Sequence, residues 1–357
     1  MVKLKSIMLE NENKKFTHFK LHTQYSICEG AIKIDDLKDY CKSNKTRSIG
    51  ITDTSNLCGV LEFSETISKQ GTKPIIGTLI NFKFAGEIGP LTLIAKNETG
   101  YKKIVELSSK SYLSNDKSSV IHCQIDELLK NTDGIILMSG TINGLFGKLF
   151  NKAKISEIEN LYKKFLKIYG ENFLIEIQRH NDINEKQFET FNLNISSKLN
   201  IPLIASQEAF YISKSMNDAH EALICIGNKS YLNDKSRLSY SSEHYLKSDE
   251  EMALLFNDIP SALQNNYNLP YRCNYRPLYS KPILPNLPSD KGLNAERILI
   301  DDASKGLKKR FIDKFCKNNE LPENNKKFKN YKDRLDHELK IINEMNFSSY
   351  FLIVADY

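Results

Sequence analysis

The chain has 357 residues, 40% of them apolar, and a formal net charge of +6. That length accommodates two domains, or one barrel with an extension. The composition is that of a soluble globular protein, and no stretch approaches the roughly 20 apolar residues of a membrane helix. The first 15 residues are polar and carry no secretory signal. The seven cysteines are scattered and never in CxxC spacing. This excludes a zinc ribbon and a disulfide framework and points to reduced thiols in a cytoplasm.

In chain order, Phe16 to His22 alternates as a strand. Phe16, His18, Lys20 and His22 are expected on one face, and Thr17, Phe19 and Leu21 on the other. Helical spacing follows over 35–43, a buried strand over 48–53, and a helix over 57–70. Strands are predicted over 73–84 and 91–95, and a helix runs to Leu113. A fifth strand is expected at 134–139, with helices from Gly144 and over 155–169. A sixth strand at 173–178, a helix over 185–199, a seventh strand at 202–206 and a helix over 217–226 complete the pattern. Beyond Tyr231, helices are predicted over 243–256, 259–267, 293–315 and 331–345, with a polar loop over 318–330. Pro270 to Pro288 holds five prolines and reads as a linker or a surface crossing. The apolar run Phe351-Leu-Ile-Val-Ala355 needs a covering partner, so the chain reads as the front part of something larger.

Six or seven short apolar strands separated by helices predict an α/β fold with a parallel sheet, closed as a barrel. Chemistry in such a barrel sits at the strand C-termini, where His22, Asp53, Leu79, Pro90, Thr141, His180 and Glu208 are expected. Ser304 to Lys340 carries twelve Lys/Arg against six Asp/Glu, a patch suited to a polyanion. His122, His244 and His337 are expected on the surface, and His220 in packing contacts.

Motifs in fixed order extend this reading. They are His18-Phe-Lys-Leu-His-Thr-Gln-Tyr-Ser26, Ile51-Thr-Asp-Thr-Ser-Asn-Leu-Cys-Gly59, Lys73-Pro-Ile-Ile-Gly77, Leu91-Thr-Leu-Ile-Ala-Lys-Asn97 and Ile175-Glu-Ile-Gln-Arg-His180. Ala219-His-Glu-Ala-Leu-Ile224, Tyr245-Leu-Lys-Ser-Asp-Glu-Glu-Met252 and Arg334-Leu-Asp-His-Glu-Leu339 follow. The series resembles the bacterial DNA polymerase III alpha subunits over nearly the whole chain. The resemblance implies an N-terminal tail (1–13), a PHP (polymerase and histidinol phosphatase) domain of distorted (β/α) barrel fold (14–275) and a Pro-rich linker (276–290). A mainly helical extension (291–357) would begin a polymerase palm. The family's polymerase carboxylates, which hold Mg²⁺, would lie beyond Tyr357.

In family members with an active PHP site, His, Asp and Glu side chains at strand ends hold zinc or manganese for 3′–5′ exonuclease chemistry. Here the first strand reads Lys20-Leu-His22 instead of His-x-His, and the second Thr52-Asp-Thr54 instead of Thr-Asp-His. Leu79 stands for an acid, Pro90 for a His and Thr141 for a Cys. Glu208-Ala-Phe210 stands for Asp-x-His. A vestigial site of His22, Glu29, Asp53 and Glu208, with His180 as a further survivor, is expected to lack zinc or manganese. Lys20 is expected to pair with Asp53, Glu29 or Glu208.

The expected role is therefore a structural and partner-docking module of a replicative polymerase. Its partners would be template-primer DNA, dNTPs, the proofreading exonuclease, the sliding clamp and the clamp loader. A metal-dependent 3′–5′ exonuclease with a reduced site is the alternative. DNA binding through Lys305, Lys308, Lys309 and Arg310 is a third reading.

Overall fold

The apolar runs form β1 (Lys20–Leu21), β2 (Ser48–Ile51), β3 (Lys73–Phe84), β4 (Glu87–Ala95), β5 (Cys123–Gln124), β6 (Ile135–Met138), β7 (Phe173–Ile177), β8 (Leu203–Ala205) and β9 (Glu208–Ala209). The structure is a computed structural model that describes residues 15–113, 120–130, 133–281, 294–316 and 322–357. The expected N-terminal tail and residues 282–290 of the expected linker lie outside the described residues.

The main sheet runs β2-β3-β4-β6-β7-β8, with β5 paired to β3. β9 continues the chain directly after β8 and pairs in parallel with β1, placing Lys20 beside Glu208. β1 reaches β2 through the Gly50 N–H to His18 carbonyl bond (2.7 Å) and the Thr52 N–H to Leu21 carbonyl bond (3.0 Å). The sheet thus curls back on itself as an α/β barrel. Gly50 permits the closure, because a Cβ there would stand 2.7 Å from the Phe19 carbonyl oxygen.

The sheet is mixed, which corrects the all-parallel expectation. β4 is antiparallel to both β3 and β6. The cause is a two-residue turn at Ala85 (φ 48°) and Gly86 (φ 83°), joining paired Phe84 and Glu87. Positive φ at both central positions matches the twist of a tight hairpin.

The helices of this unit are α1 (Ile34–Asn44), α2 (Val60–Ser68), α3 (Glu98–Leu113), α4 (Leu145–Asn151), α5 (Ile155–Tyr169), α6 (Glu185–Leu199), α7 (Asn217–Asn228), α8 (Asp249–Leu255) and α9 (Pro260–Arg272). Strand alternation sends Ile76, Ile80, Leu93, Leu137, Phe173, Ile175 and Ala205 into the large core that includes helix residues such as Leu37, Phe63, Ile104 and Phe165. The opposite face gives a second cluster of Ile75, Ile94, Ile136, Met138, Leu174 and Ile204, joined by Leu269 and Cys273. The C-terminal end of α9 joins this inner cluster through Leu269 and Cys273.

Three local expectations are corrected. Phe16 to His22 is buried on both faces, and only Lys20–Leu21 pairs as regular strand. The helix expected from Glu243 begins at Asp249, where Ser248 and Glu251 form a reciprocal capping box. Pro270, expected in the linker, lies inside α9.

The chain divides into two units, Met1–Tyr279 and Ser280–Tyr357. The described part of the second is helical: α10 (Ala295–Phe315), α11 (Lys326–Glu344) and α12 (Ser348–Asp356). α11 starts within the expected 318–330 loop, because Asn325 caps it and Phe328 packs against Phe311, ring centroids 5.1 Å apart. Among the described residues no helix is long and apolar enough to cross a membrane.

Candidate functional site

The parallel register of β1 and β9 decides the chemistry of the barrel mouth. Side chains at paired positions of neighbouring strands lie side by side. Lys20 and Glu208 are such a pair, and the Lys20 ammonium sits 3.2 Å from Glu208 Oε1. Glu176, on β7, comes within 3.8 Å of the same nitrogen. Gln178, two residues further along the chain, donates to the same Glu176 oxygen at 2.7 Å. His22 Nε2 approaches Glu208 Oε1 at 2.9 Å, and Phe210 stacks on the imidazole with ring centroids 4.3 Å apart.

The other His22 nitrogen is also surrounded. Nδ1 lies 3.3 Å from Thr54 Oγ1, 3.4 Å from Ser26 Oγ and 3.9 Å from a Glu29 oxygen. Thr54 donates its hydroxyl proton to Glu29. Asp53 is drawn behind this layer. Its carboxylate accepts from the Thr23 N–H (2.6 Å), the Thr23 hydroxyl (2.8 Å) and the Ser26 hydroxyl (2.7 Å).

The electrostatics follow from burial and pairing. Burial works against the Lys20 charge, but Glu176 and Glu208 outweigh it and hold the lysine above its usual pKa. Burial likewise opposes a charged His22, yet the Glu208 hydrogen bond and the nearby Glu29 raise its pKa. Burial would raise Glu208, and Lys20 and His22 instead hold it well below the usual carboxylate range. Burial pushes Asp53 up despite its three hydrogen bonds. The layer is thus an internal ion cluster, in which Lys20 and His22 face the carboxylates of Glu176, Glu208 and Glu29.

A cleft of about 270 Å³ opens beside this cluster. Lys20, Glu29, Thr54, Leu79, Pro90, Thr141, Glu208 and Phe210 contribute to its wall. The cleft therefore gathers most of the strand-end positions predicted from sequence. Of the expected ligands, His22, Glu29 and Glu208 converge, while Asp53 serves the 23–26 loop. Of the three expected Lys20 partners, Glu208 is the one in ion-pair contact. Glu176 was missed, although a lone acid in Phe-Leu-Ile-Glu-Ile should have marked a barrel-facing charge.

These residues do not fit a tight metal cluster. The cation's place next to Glu208 is taken by the lysine nitrogen, and both His22 nitrogens face protein partners. Leu79, Pro90 and Phe210 offer no ligand atoms.

His180 goes elsewhere. Among the described residues, one group has metal-site spacing: His180, Asp182 and His244, with one ligand atom from each within 4.8 Å of the others. His244 was expected on the surface but is 1% exposed, and His122 is also buried. Burial, then the neighbouring His244, hold the His180 pKa well below its usual value.

Lys305, Lys309 and Arg310 are exposed along α10. Lys308 is ion-paired with Glu323 at 2.7 Å.

Comparison with known proteins defines the class first. Residues 18–180 match the PHP domain family, so the barrel is a PHP domain. Residues 297–357 match the family described as bacterial DNA polymerase III alpha NTPase domain. Over nearly its whole length the chain is similar to bacterial DNA polymerase III alpha subunits. It is 36% identical over 349 residues to the DNA polymerase III subunit alpha of Rickettsia conorii, covering 96% of this chain and 29% of that one. The Pseudomonas aeruginosa subunit is 32% identical, again with 96% of this chain and 29% of that protein covered. The chain thus spans about 29% of the length of these curated relatives. Among solved structures, an amidohydrolase from Chromobacterium violaceum is 7% identical with a TM-score of 0.37, covering 54% of this chain and 87% of that one.

Proposed function

We propose that this chain acts as the N-terminal part of a replicative DNA polymerase III alpha subunit, a DNA-directed DNA polymerase of the cytoplasm. Its PHP domain (14–275) is a catalytically degenerate scaffold that docks partners. Template-primer DNA and dNTPs are the substrates of the whole protein, with Mg²⁺ held by carboxylates outside these residues. The proofreading exonuclease, sliding clamp and clamp loader are its partners. Residues 291–357 begin the palm, and Lys305, Lys309 and Arg310 offer it a basic edge for DNA phosphates.

One observation carries the scaffold reading. The Lys20 ammonium lies against Glu208 and Glu176 and supplies the positive charge that a hydrolytic metal would otherwise bring. His22, Glu29, Asp53 and Glu208 are then vestiges of a ligand set, each retained through hydrogen bonds or ion pairs. Lys20 and His22 offset Glu176 and Glu208 without a zinc or manganese cluster.

The test is a count of bound ions. Purified chain equilibrated with Zn²⁺ or Mn²⁺ and desalted is analysed by atomic emission. At most one equivalent, unchanged by His22→Ala, is expected. A count near three that collapses in His22→Ala would sink the proposal and restore the exonuclease reading.

A further inference from the structure

His180 leaves the end of β7, Asp182 follows two residues later, and His244 lies in the segment between α7 and α8. The two imidazoles stack almost perfectly parallel, with centroids 3.9 Å apart and planes 2° apart. One nitrogen of each ring already has a protein partner. His244 Nδ1 lies 3.1 Å from the Glu208 carbonyl oxygen, a bond that requires an N–H at Nδ1. His180 Nδ1 lies 3.6 Å from Glu185 Oε1, and the same carboxylate accepts the backbone N–H groups of His180 and Asn181. The His244 ring is thereby set as its Nδ1–H tautomer with a lone pair on Nε2, and the Glu185 carboxylate beside His180 Nδ1 favours the same tautomer there.

Those two Nε2 atoms are buried and have no hydrogen-bond partner. Buried acceptors without donors are rare in folded proteins. Here two occur together, beside a carboxylate. Asp182 Oδ2 is 3.9 Å from His244 Nε2, too far for a hydrogen bond, and it accepts from Asn143 Nδ2 at 3.0 Å. Asp182 is partly exposed, so the group is reachable from solvent.

We propose that His180, Asp182 and His244 form a mononuclear site for a divalent transition-metal ion of the zinc class. Two imidazole nitrogens and one carboxylate oxygen are a borderline-soft donor set that leaves a position for water. A carbonyl and a carboxylate on the remote ring nitrogens are the outer partners that metal-bound histidines use. Parallel rings do not converge on one point, so occupancy turns one ring out of the stack. The bound ion latches the 180–185 loop to the 241–248 segment, whose His244 carbonyl already holds the Phe210 N–H at 3.0 Å. This site goes beyond the scaffold reading and stands or falls separately from it.

The test is a Co²⁺ titration of the metal-free chain followed by visible d–d absorption, with Zn²⁺ as competitor. One equivalent is expected, displaced by Zn²⁺. His244→Gln and the milder Asp182→Asn should each weaken binding on the order of tenfold or more, with far-UV circular dichroism unchanged. Long-range ¹H–¹⁵N spectra should show the Nε2 shifts of His180 and His244 moving on Zn²⁺ addition. Absence of Co²⁺ binding, or binding that both variants leave intact, overturns the proposal. Binding lost in His22→Gln and kept in His244→Gln also overturns it, by placing the ion at the barrel mouth.

Discussion

Replacing Lys20 by Met removes the one ammonium in the barrel-mouth cluster and keeps the side-chain volume. The Lys20 side chain is 3% exposed, against 0% for Glu176 and 13% for Glu208, so the vacated charges cannot be rescued by bulk water. Breaking a buried ion pair by deleting one partner costs about 3–5 kcal/mol. Glu208 keeps His22 as a counter-charge. Glu176 keeps only the Gln178 amide on one oxygen, and its other oxygen has no partner. The loss therefore falls mainly on Glu176, and we expect about 3 kcal/mol, the lower end of that range. Urea unfolding at neutral pH, followed by circular dichroism and tyrosine fluorescence (the chain has no Trp), measures it by linear extrapolation. Adding Glu176→Gln should recover more than about 1 kcal/mol of the loss, because the two changes act on one interaction. A single-variant loss below about 1 kcal/mol, or simple additivity in the double variant, would refute the idea that Lys20 neutralises this layer.

Other outcomes follow from the same geometry. His18 is buried and neutral, its pKa lowered from 6.5 to about 4 chiefly by desolvation. Its contribution to stability is complete above pH 6.5 and is lost as pH falls toward 4, because the unfolded state then binds the extra proton. The full span is about 3 kcal/mol, and His18→Gln should flatten the urea midpoint against pH between 7 and 4.5. An added methyl at Gly30 would meet the Thr23 and His22 carbonyl oxygens at 2.2 and 2.5 Å. Gly30→Ala should therefore cost at least about 1–3 kcal/mol in a thermal or urea series. Replacing Lys305, Lys309 and Arg310 by Ala should lower the slope of log affinity for single-stranded DNA against log salt by about 0.7 for each phosphate no longer neutralised, as read by fluorescence anisotropy. An unchanged slope would remove that edge from any DNA path.

Much of the architecture was legible because periodicity reports burial directly. The runs at 73–84, 155–169 and 185–199 appear with the bounds their patterns predicted. Direction was less legible. The pattern that marks a strand is the same whether it runs parallel or antiparallel, and the reversal between β3 and β4 rests on Ala85-Gly86 alone. Strand-end positions could be placed in sequence, so Lys20, Glu29 and Glu208 were found. Partners contributed from mid-strand or from long connections could not be matched to each other, even where, as with the lone acid Glu176, the residue itself stood out. Glu176 reaches Lys20 across the barrel, and His244 reaches His180 from a segment 64 residues later. No local spacing records such a meeting. The Ser248–Glu251 capping box, by contrast, was available in Ser248-Asp-Glu-Glu and would have set the start of α8 correctly.

The central claim is that Lys20 has replaced metal chemistry at the barrel mouth. A 3′–5′ exonuclease assay tests it most directly. The purified chain is incubated with 5′-labelled single-stranded DNA and a mispaired primer-template, in parallel with Zn²⁺, Mn²⁺ and Mg²⁺. No shortening of either strand above a His22→Ala control is expected. Stepwise removal of 3′ nucleotides that disappears in His22→Ala would contradict it.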